Sequence, residues 1–219
     1  MGVLLILMTI GGLLTAVVLF IVAIATKKRW LRNFVVGGVA VWFVFYAVML
    51  LGFSFASTEK TLAIGEAKEY CGFYLDCHMH TAVTGVQKTK TIGNETAKGE
   101  FYIVTVKVFS NAKAATLGLL TVDAHVVDEQ NRTYTRSEIA EAQLPPQPQF
   151  EKKISPVESF EKEIVFDLPA DVQNPYLDIS EGYGIDKAIE AVLVGDEDSI
   201  LHKRAFFMLA EQSVAKSVK

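Results

Sequence analysis

The first 56 residues contain no acidic side chain, although the chain carries 25 Asp and Glu in all. The same stretch has few cations: Met1–Thr26 and Phe34–Ala56 are uncharged, and Lys27, Lys28, Arg29 and Arg32 lie between them. Other scarcities narrow the chemistry. No Gly-rich phosphate loop and no Gly-x-Ser-x-Gly occurs, which removes the usual settings for phosphate binding and for a serine nucleophile. Cysteine is limited to Cys71 and Cys77, and histidine to four positions. No repeat period is present.

What is abundant is apolar sequence. A bilayer core about 30 Å thick needs roughly 20 apolar residues in a helix, and each uncharged span meets that length. Leu, Ile, Val, Phe and Ala occur on all sides of both spans, as lipid-facing helices require. Two transmembrane helices are expected, at about residues 3–26 and 34–56, with a loop over 27–33. Thr9, Gly11, Gly12, Thr15, Gly37 and Gly38 are small enough to mark close helix contact. Basic residues of short loops stay in the cytoplasm, so Lys27, Lys28, Arg29 and Arg32 place the loop inside and both chain ends outside. Trp30 suits an interfacial anchor, whereas Trp42 is too deep and is expected to pack within the hairpin. A cleaved signal ending at Ser54-Phe55-Ala56 is the competing reading; it fits poorly, because the first span lacks a basic start and the second exceeds a usual signal core.

After a linker at 57–61, residues 62–209 are enough for one domain, followed by a polar tail at 210–219. Outside the basic loop, 17 cations face 25 acids. That acidic balance disfavours nucleic-acid binding. In an extracytoplasmic setting a Cys71–Cys77 disulfide is the default expectation, and it requires the chain to turn near Gly72.

The downstream sequence reads as short strands. Period-two alternation marks Cys71–Val83, Glu100–Ser110, Ala114–Val127 and Phe160–Leu168; shorter strands are expected at Thr61–Glu69, Arg132–Thr135, Tyr176–Ser180 and Ala188–Val194. Leu201–Leu209 is a last strand or a short helix. Thr89–Gly99 reads as a loop, Asp128–Asn131 as a turn and Ser137–Gln143 as one or two helical turns. Pro145, Pro146 and Pro148 break regular structure. The fold expected is mainly β: a β-sandwich preceded by a two-helix transmembrane hairpin.

Several stretches together carry a family resemblance. They are Phe101–Val108 followed by Ser110-Asn111, Val126–Tyr134, Ser155-Pro156-Val157-Glu158-Ser159, and Ile164–Pro169. Over roughly Leu62–Val194 these resemble the immunoglobulin-like domain of the DUF4352 family of secreted, lipid-anchored or membrane-anchored bacterial proteins. The resemblance implies an extracytoplasmic immunoglobulin-like β-sandwich with no settled activity. It does not cover the hairpin. Where the family usually has Gly after the turn proline, Val157 stands here, a departure expected to alter that turn.

The densest polar cluster is Cys71-x5-Cys77-His78-Met79-His80. Thiolate, thioether and imidazole suit copper, and imidazole suits zinc. On a strand His78 and His80 share a face, while Cys77 and Met79 point away, and the spacing matches no standard zinc or blue-copper pattern. Asp123 and His125, two apart on a strand, are expected to pair at the surface. His202 and Asp196-Glu197-Asp198 read as solvated, the latter lacking EF-hand spacing. The sequons at Asn94 and Asn131 matter only in a eukaryotic secretory pathway.

The reading is a non-enzymatic, membrane-anchored binding or assembly module. No cofactor is assigned. Membrane lipid and other membrane or periplasmic subunits are its expected partners, through strand edges and the proline-rich loop Leu144–Phe150. A copper- or zinc-binding accessory protein using Cys71–His80 is the alternative.

Overall fold

The apolar spans form two long helices, α1 (Gly2–Ala25) and α2 (Arg29–Ala56). A computed structural model of the chain describes residues 2–70, 77–182 and 184–209. The basic connection is shorter than the expected loop over 27–33. Only Thr26–Lys28 lie outside the helices, with Lys27 at φ 51°. Arg29–Asn33 instead form the start of α2, because Arg and Leu are good helix formers and Arg32 N–H reaches the Lys28 carbonyl. Thr9, Thr15 and Thr26 turn their hydroxyls back to carbonyls four residues earlier, which satisfies these three donors locally. Trp42 Nε1–H donates to Thr9 Oγ at 3.0 Å, so this indole ties the two helices together, as its depth suggested. The glycine pairs do not mark helix contact: a Cβ on Gly11, Gly12, Gly37 or Gly38 would meet nothing within 4 Å.

The chain divides into two compact units. The first comprises residues 1–58 together with Ile185–Arg204; the second comprises the rest. Within the first unit, the late segment lies against the helices. Gly2 makes the close approach, since a Cβ there would fall 2.4 Å from the Val194 carbonyl oxygen. Tyr46 donates its hydroxyl to the Val192 carbonyl, Ser54 and Ser199 share a bond at 3.4 Å, and Lys203 N–H donates to Ser57 Oγ. The strand expected at Ala188–Val194 is absent. Helix α4 (Gly184–Glu190) runs into successive turns, with Ala191 N–H on Lys187, Val192 on Ile189 and Leu193 on Glu190. Local bonds satisfy a backbone that has no strand neighbour.

The second unit is a β-sandwich. Its strands are β1 (Lys60–Leu62), β2 (Ala67–Tyr70), β3 (Met79–Ile92), β4 (Glu95–Ser110), β5 (Val122–Val127), β6 (Thr133–Thr135), β7 (Ser159–Leu168), β8 (Tyr176–Glu181) and β9 (Ala205–Met208), with a short helix α3 (Glu138–Glu141) between β6 and β7. One sheet runs β1-β9-β8-β5-β6 and the other β2-β3-β4-β7. The alternation read in Glu100–Ser110 places Val104, Val106 and Val108 inward, with no exposure. They meet Val126, Leu177, Ile179 and Phe207 of the facing sheet in one core.

Several boundaries differ from the sequence reading. Thr61–Glu69 is two strands split by a turn at Gly65, which takes φ 89°. Of the strand expected over Cys71–Val83, residues 71–76 lie outside the described residues, Cys77 and His78 are not in a strand, and β3 runs from Met79. The polar stretch Thr89–Gly99 is not a loop but the tip of the β3–β4 hairpin, where Ile92 pairs with Glu95 around Gly93 at φ 55°. The positive φ at the first central position is what a tight two-residue hairpin turn needs. Ala114–Thr121 forms no named strand; its Leu117 bridges Ile154. The expected polar tail at 210–219 lies outside the described residues.

The β7 edge is sealed by its own chain. Ser137 N–H donates to the Val165 carbonyl, Glu141 accepts from Val165 N–H, and Gln147 both donates to and accepts from the Glu163 backbone. Inward-pointing Lys162 clamps the same loop, its ammonium donating to the Pro148 carbonyl at 3.1 Å. Burial, with Arg136 nearby, lowers the Lys162 pKa. A second small core of Ile92, Phe101, Ala140 and Val165 sits under α3. The proline-rich loop is therefore committed to closing a sheet edge that would otherwise be open to another strand.

The turn at Ser155–Glu158 closes with Val157 at positive φ. Glu158 N–H bonds the Ser155 carbonyl, and Val157 takes φ 64° after Pro156. This is the pattern of a turn that favours glycine at that position. A β-branched residue there is strained by about 1–3 kcal/mol, and Val157 is 81% exposed, so no packing offsets it. Val157→Gly is expected to raise sandwich stability by about 1 kcal/mol once unfolded-chain entropy is counted. An unchanged or lower urea midpoint would show that the strain is not there.

Candidate functional site

Of the stretch singled out for metal, Cys71–His80, only Cys77–His80 lie among the described residues. His78 precedes β3, and its Nδ1 lies 2.6 Å from Asn111 Oδ1. His80, on β3, lies flat against Phe109 of β4, ring centroids 5.0 Å apart. Its Nε2 is buried without a hydrogen-bond partner. Met79 belongs to the core. The two rings thus make separate contacts, and among the described residues no three His, Cys, Asp or Glu side chains are grouped to hold an ion. The expected Cys71–Cys77 pairing involves Cys71, which lies outside the described residues.

A charged cluster that sequence reading missed links the two sheets. Lys68 on β2 is inward, 3% exposed, and donates to the Ile179 carbonyl at 2.8 Å and the Ala205 carbonyl at 3.3 Å. Its ammonium lies 3.7 Å from the carboxylate of Asp178 on β8, itself buried. His125 of β5 stands 3.7 Å from Asp178 and 3.6 Å from Asp123. Tyr70, one inward position after Lys68, shares a bond with Thr81 and donates to Ile179 O. The Asp123–His125 pairing was legible from their spacing. Lys68 and Asp178 were not, because nothing in the alternation of Thr61–Glu69 distinguishes an inward lysine from an outward one. The His125 separations are ion-pair distances, longer than the roughly 2.6–3.2 Å over which a carboxylate orients a catalytic imidazole. The arrangement serves as a polar strut: Lys68 answers two carbonyls and a carboxylate inside an otherwise apolar layer.

Beside it lies an open cleft of about 570 Å³, lined by Asp123, Ala124, Thr135, Arg136, Glu138 and Ile139 among others. Its cation is occupied. Arg136 donates Nε–H to Glu141 at 2.9 Å in a two-point contact that raises the arginine pKa. A second ion network holds the β5–β6 turn. Asp128 accepts from the backbone of Gln130 and Arg132, from the Arg132 guanidinium and from Tyr134. Desolvation works to raise its carboxyl, but these donors prevail and hold it below the ordinary range. Arg132 also bonds Asp171, whose carboxyl is lowered by that contact. This explains the Asp128–Asn131 turn seen in the sequence, with Asn131 at φ 59°.

In the helical unit the acidic run is not uniformly solvated. Burial pushes the Asp196 carboxyl up to about 6, against a hydrogen bond from Asp198 N–H. Asp198 pairs with Arg204 at 2.8 Å. A carboxyl with a raised folded pKa stabilises fully below its unfolded value near 4 and loses that contribution as pH rises through about 6. Amide protection of the 190–203 segment, corrected for intrinsic exchange, should therefore fall mainly between about pH 4 and pH 6.5 and level off above that. Asp196→Asn is expected to abolish that fall; an identical pH response in the variant would rule the carboxyl out as its cause.

Comparison with known proteins adds the following. No curated protein matches the chain. Solved structures similar to it include a secreted protein from Mycobacterium tuberculosis, at 12% identity over 60% of this chain and 95% of that one, with a TM-score of 0.41. An uncharacterized β-sandwich protein from Clostridium difficile is 9% identical over 70% of this chain and 96% of its own, with a TM-score of 0.38. The yjhA protein from Bacillus subtilis is 14% identical over 52% and 77%, with a TM-score of 0.37. The model of a domain of unknown function, DUF4352, matches residues 76–189. That match spans more than half of the 219 residues, from just before β3 through β8, and the chain belongs to the DUF4352 family.

Proposed function

We propose that this protein is a membrane-anchored, extracytoplasmic binding or assembly module that carries out no reaction of its own. The observation that supports retention of the helices, rather than their loss as a signal, is the position of Ile185–Arg204. This late segment takes Tyr46, Ser54 and Ser57 as hydrogen-bond partners. Cleavage after Ala56 would leave its Val192 carbonyl and Ser199 hydroxyl without the first two. The apolar flanks of α1 and α2 are open on all sides, from Leu4 and Leu14 to Val41 and Phe55. Four basic residues at or beside the helix turn favour a cytoplasmic turn, with both chain ends and the sandwich outside.

The partners would be other membrane or periplasmic subunits. With the proline-rich loop and the β7 edge occupied internally, the short edges β1, β2 and β6 and the acidic surface are the places left for contact. Protease added to intact spheroplasts should digest the sandwich and spare the α1–α2 turn. Purification in mild detergent should bring a second protein along. A chain that always migrates alone, or a sandwich shielded from external protease, would refute the respective half of the reading.

A further inference from the structure

We infer that Ile185–Arg204 lies in the outer interfacial layer of the bilayer, its exposed side chains contacting phospholipid. The inference rests on the reading of α1 and α2 as an anchor and adds a third membrane-contacting element. Helix register sets the depth. Thr9 bonds Trp42 across the antiparallel pair, so Gly2 stands level with about Met49. The end of α2 then projects about 10 Å beyond the start of α1, at about 1.5 Å per residue. The segment covers this step: Val194 sits on Gly2, Gly195 lies near Phe53, Ser199 meets Ser54, and Lys203 meets Ser57. That is the level at which a spanning α1 passes from hydrocarbon to headgroups.

The segment's exposed surface suits that level and not water. Ile185, Lys187, Val192, Ile200, Leu201 and Lys203 are its large exposed side chains. Its described acids point the other way, Glu190 being buried and Asp196, Glu197 and Asp198 partly so. Among the described side chains of the segment, the acids are buried or partly buried and the exposed large groups are apolar or cationic. The display is held at a cost. Leu201 takes φ 63°, a conformation that leucine rarely adopts, in a turn closed by Ile200 N–H on Ala191 and His202 N–H on Ser199. The turn leaves Ile200 48% and Leu201 61% exposed, with Lys203 two residues on. Apolar side chains at the acyl boundary beside lysines at the phosphates is the chemistry of an interfacial segment.

The test is tryptophan depth in full-length protein reconstituted in phosphatidylcholine bilayers carrying doxyl-labelled lipid. In wild type, Trp30 and Trp42 report on the helices. Ile200→Trp in a Trp30→Phe, Trp42→Phe background reports on the segment, with Ile139→Trp, on exposed α3, as the control. Ile200→Trp should emit at shorter wavelength and be quenched several-fold more than Ile139→Trp, more by doxyl near the headgroup than near the chain end. If the Phe background does not fold, the same difference is read with the native tryptophans kept. Adding phosphatidylglycerol should deepen the quenching, and Lys187→Glu with Lys203→Glu should cancel that increment. Quenching of Trp42 without quenching at residue 200 would overturn the interfacial segment while leaving the anchor intact. An unquenched Trp42 would overturn both.

Discussion

Removing residues 1–56 is expected to move the protein from the membrane pellet to the soluble fraction while leaving the β-sandwich folded. Leu14, Phe34, Val41 and Phe55 are each 65–72% exposed. Burying one large apolar side chain contributes about 1.5–3 kcal/mol, and the helices carry such side chains on every face. No peripheral contact of the sandwich approaches that sum. The main core is built from β2 to β9 and the smaller one from β3, β4, α3 and β7, with no helix residue of the hairpin in either. Truncation should therefore preserve cooperative unfolding and a β-type circular dichroism spectrum. It should also uncover Ile185–Arg204, which loses Tyr46 and Ser54, so new proteolytic cuts should appear there and not in the β3–β4 tip. Alkaline extraction makes the outcome sharp. Truncated chain that stays in the carbonate-washed pellet would mean the sandwich has its own membrane attachment. Full-length chain that washes off would mean the helices are not an anchor.

Sequence legibility tracked how local each cause was. The helices, the inward valines of β4 and the Asp128 turn follow from neighbours in the chain, and the structure has them where period and turn chemistry put them. Several of the differences turn on contacts that composition does not carry. Thr89–Gly99 is polar because most of its side chains face water, yet its backbone is fixed by pairing across the hairpin and by Ile92 entering the small core under α3. Ala188–Val194 has the composition of a strand, but its Val192 carbonyl is answered by a tyrosine 146 residues earlier. At Val157, where the family resemblance implies glycine, the residue takes a φ that favours glycine. His78 and His80 likewise find their contacts outside their own stretch. Two residues of spacing places His78 and His80 near each other in sequence terms, but Asn111 and Phe109, from the end of β4 and just beyond it, engage one ring each.

Lys68 shows the same dependence on distant partners and carries the largest single-residue effect expected in the sandwich. Replacing it with Ala would remove the Lys68 donor to the Ile179 carbonyl, which Tyr70 also serves, the Lys68 donor to the Ala205 carbonyl, and an ammonium beside Asp178. Breaking a buried ion pair by deleting one partner costs about 3–5 kcal/mol, most of it from the charge left behind. Lys68→Ala should therefore lower stability by that order, a large fraction of the total for a domain of this size. Asp178→Asn should cost less, since His125 and Asp123 remain to answer each other at the surface end of the cluster. Lys68→Met combined with Asp178→Leu should recover more than half of the loss, because apolar side chains of similar volume can replace a buried pair at little net cost. Recovery would be incomplete, as the Ala205 carbonyl would still lack the Lys68 donor and the Ile179 carbonyl would lose one of its two side-chain donors. Chemical denaturation of the wild type, the two single variants Lys68→Met and Asp178→Leu, and their combination gives the coupling directly. If the single and double variants are additive, the ammonium and carboxylate do not act as a pair. If Lys68→Ala is near neutral, Lys68 is no strut, and a binding role for this cluster would become the better account of a lysine held between two sheets.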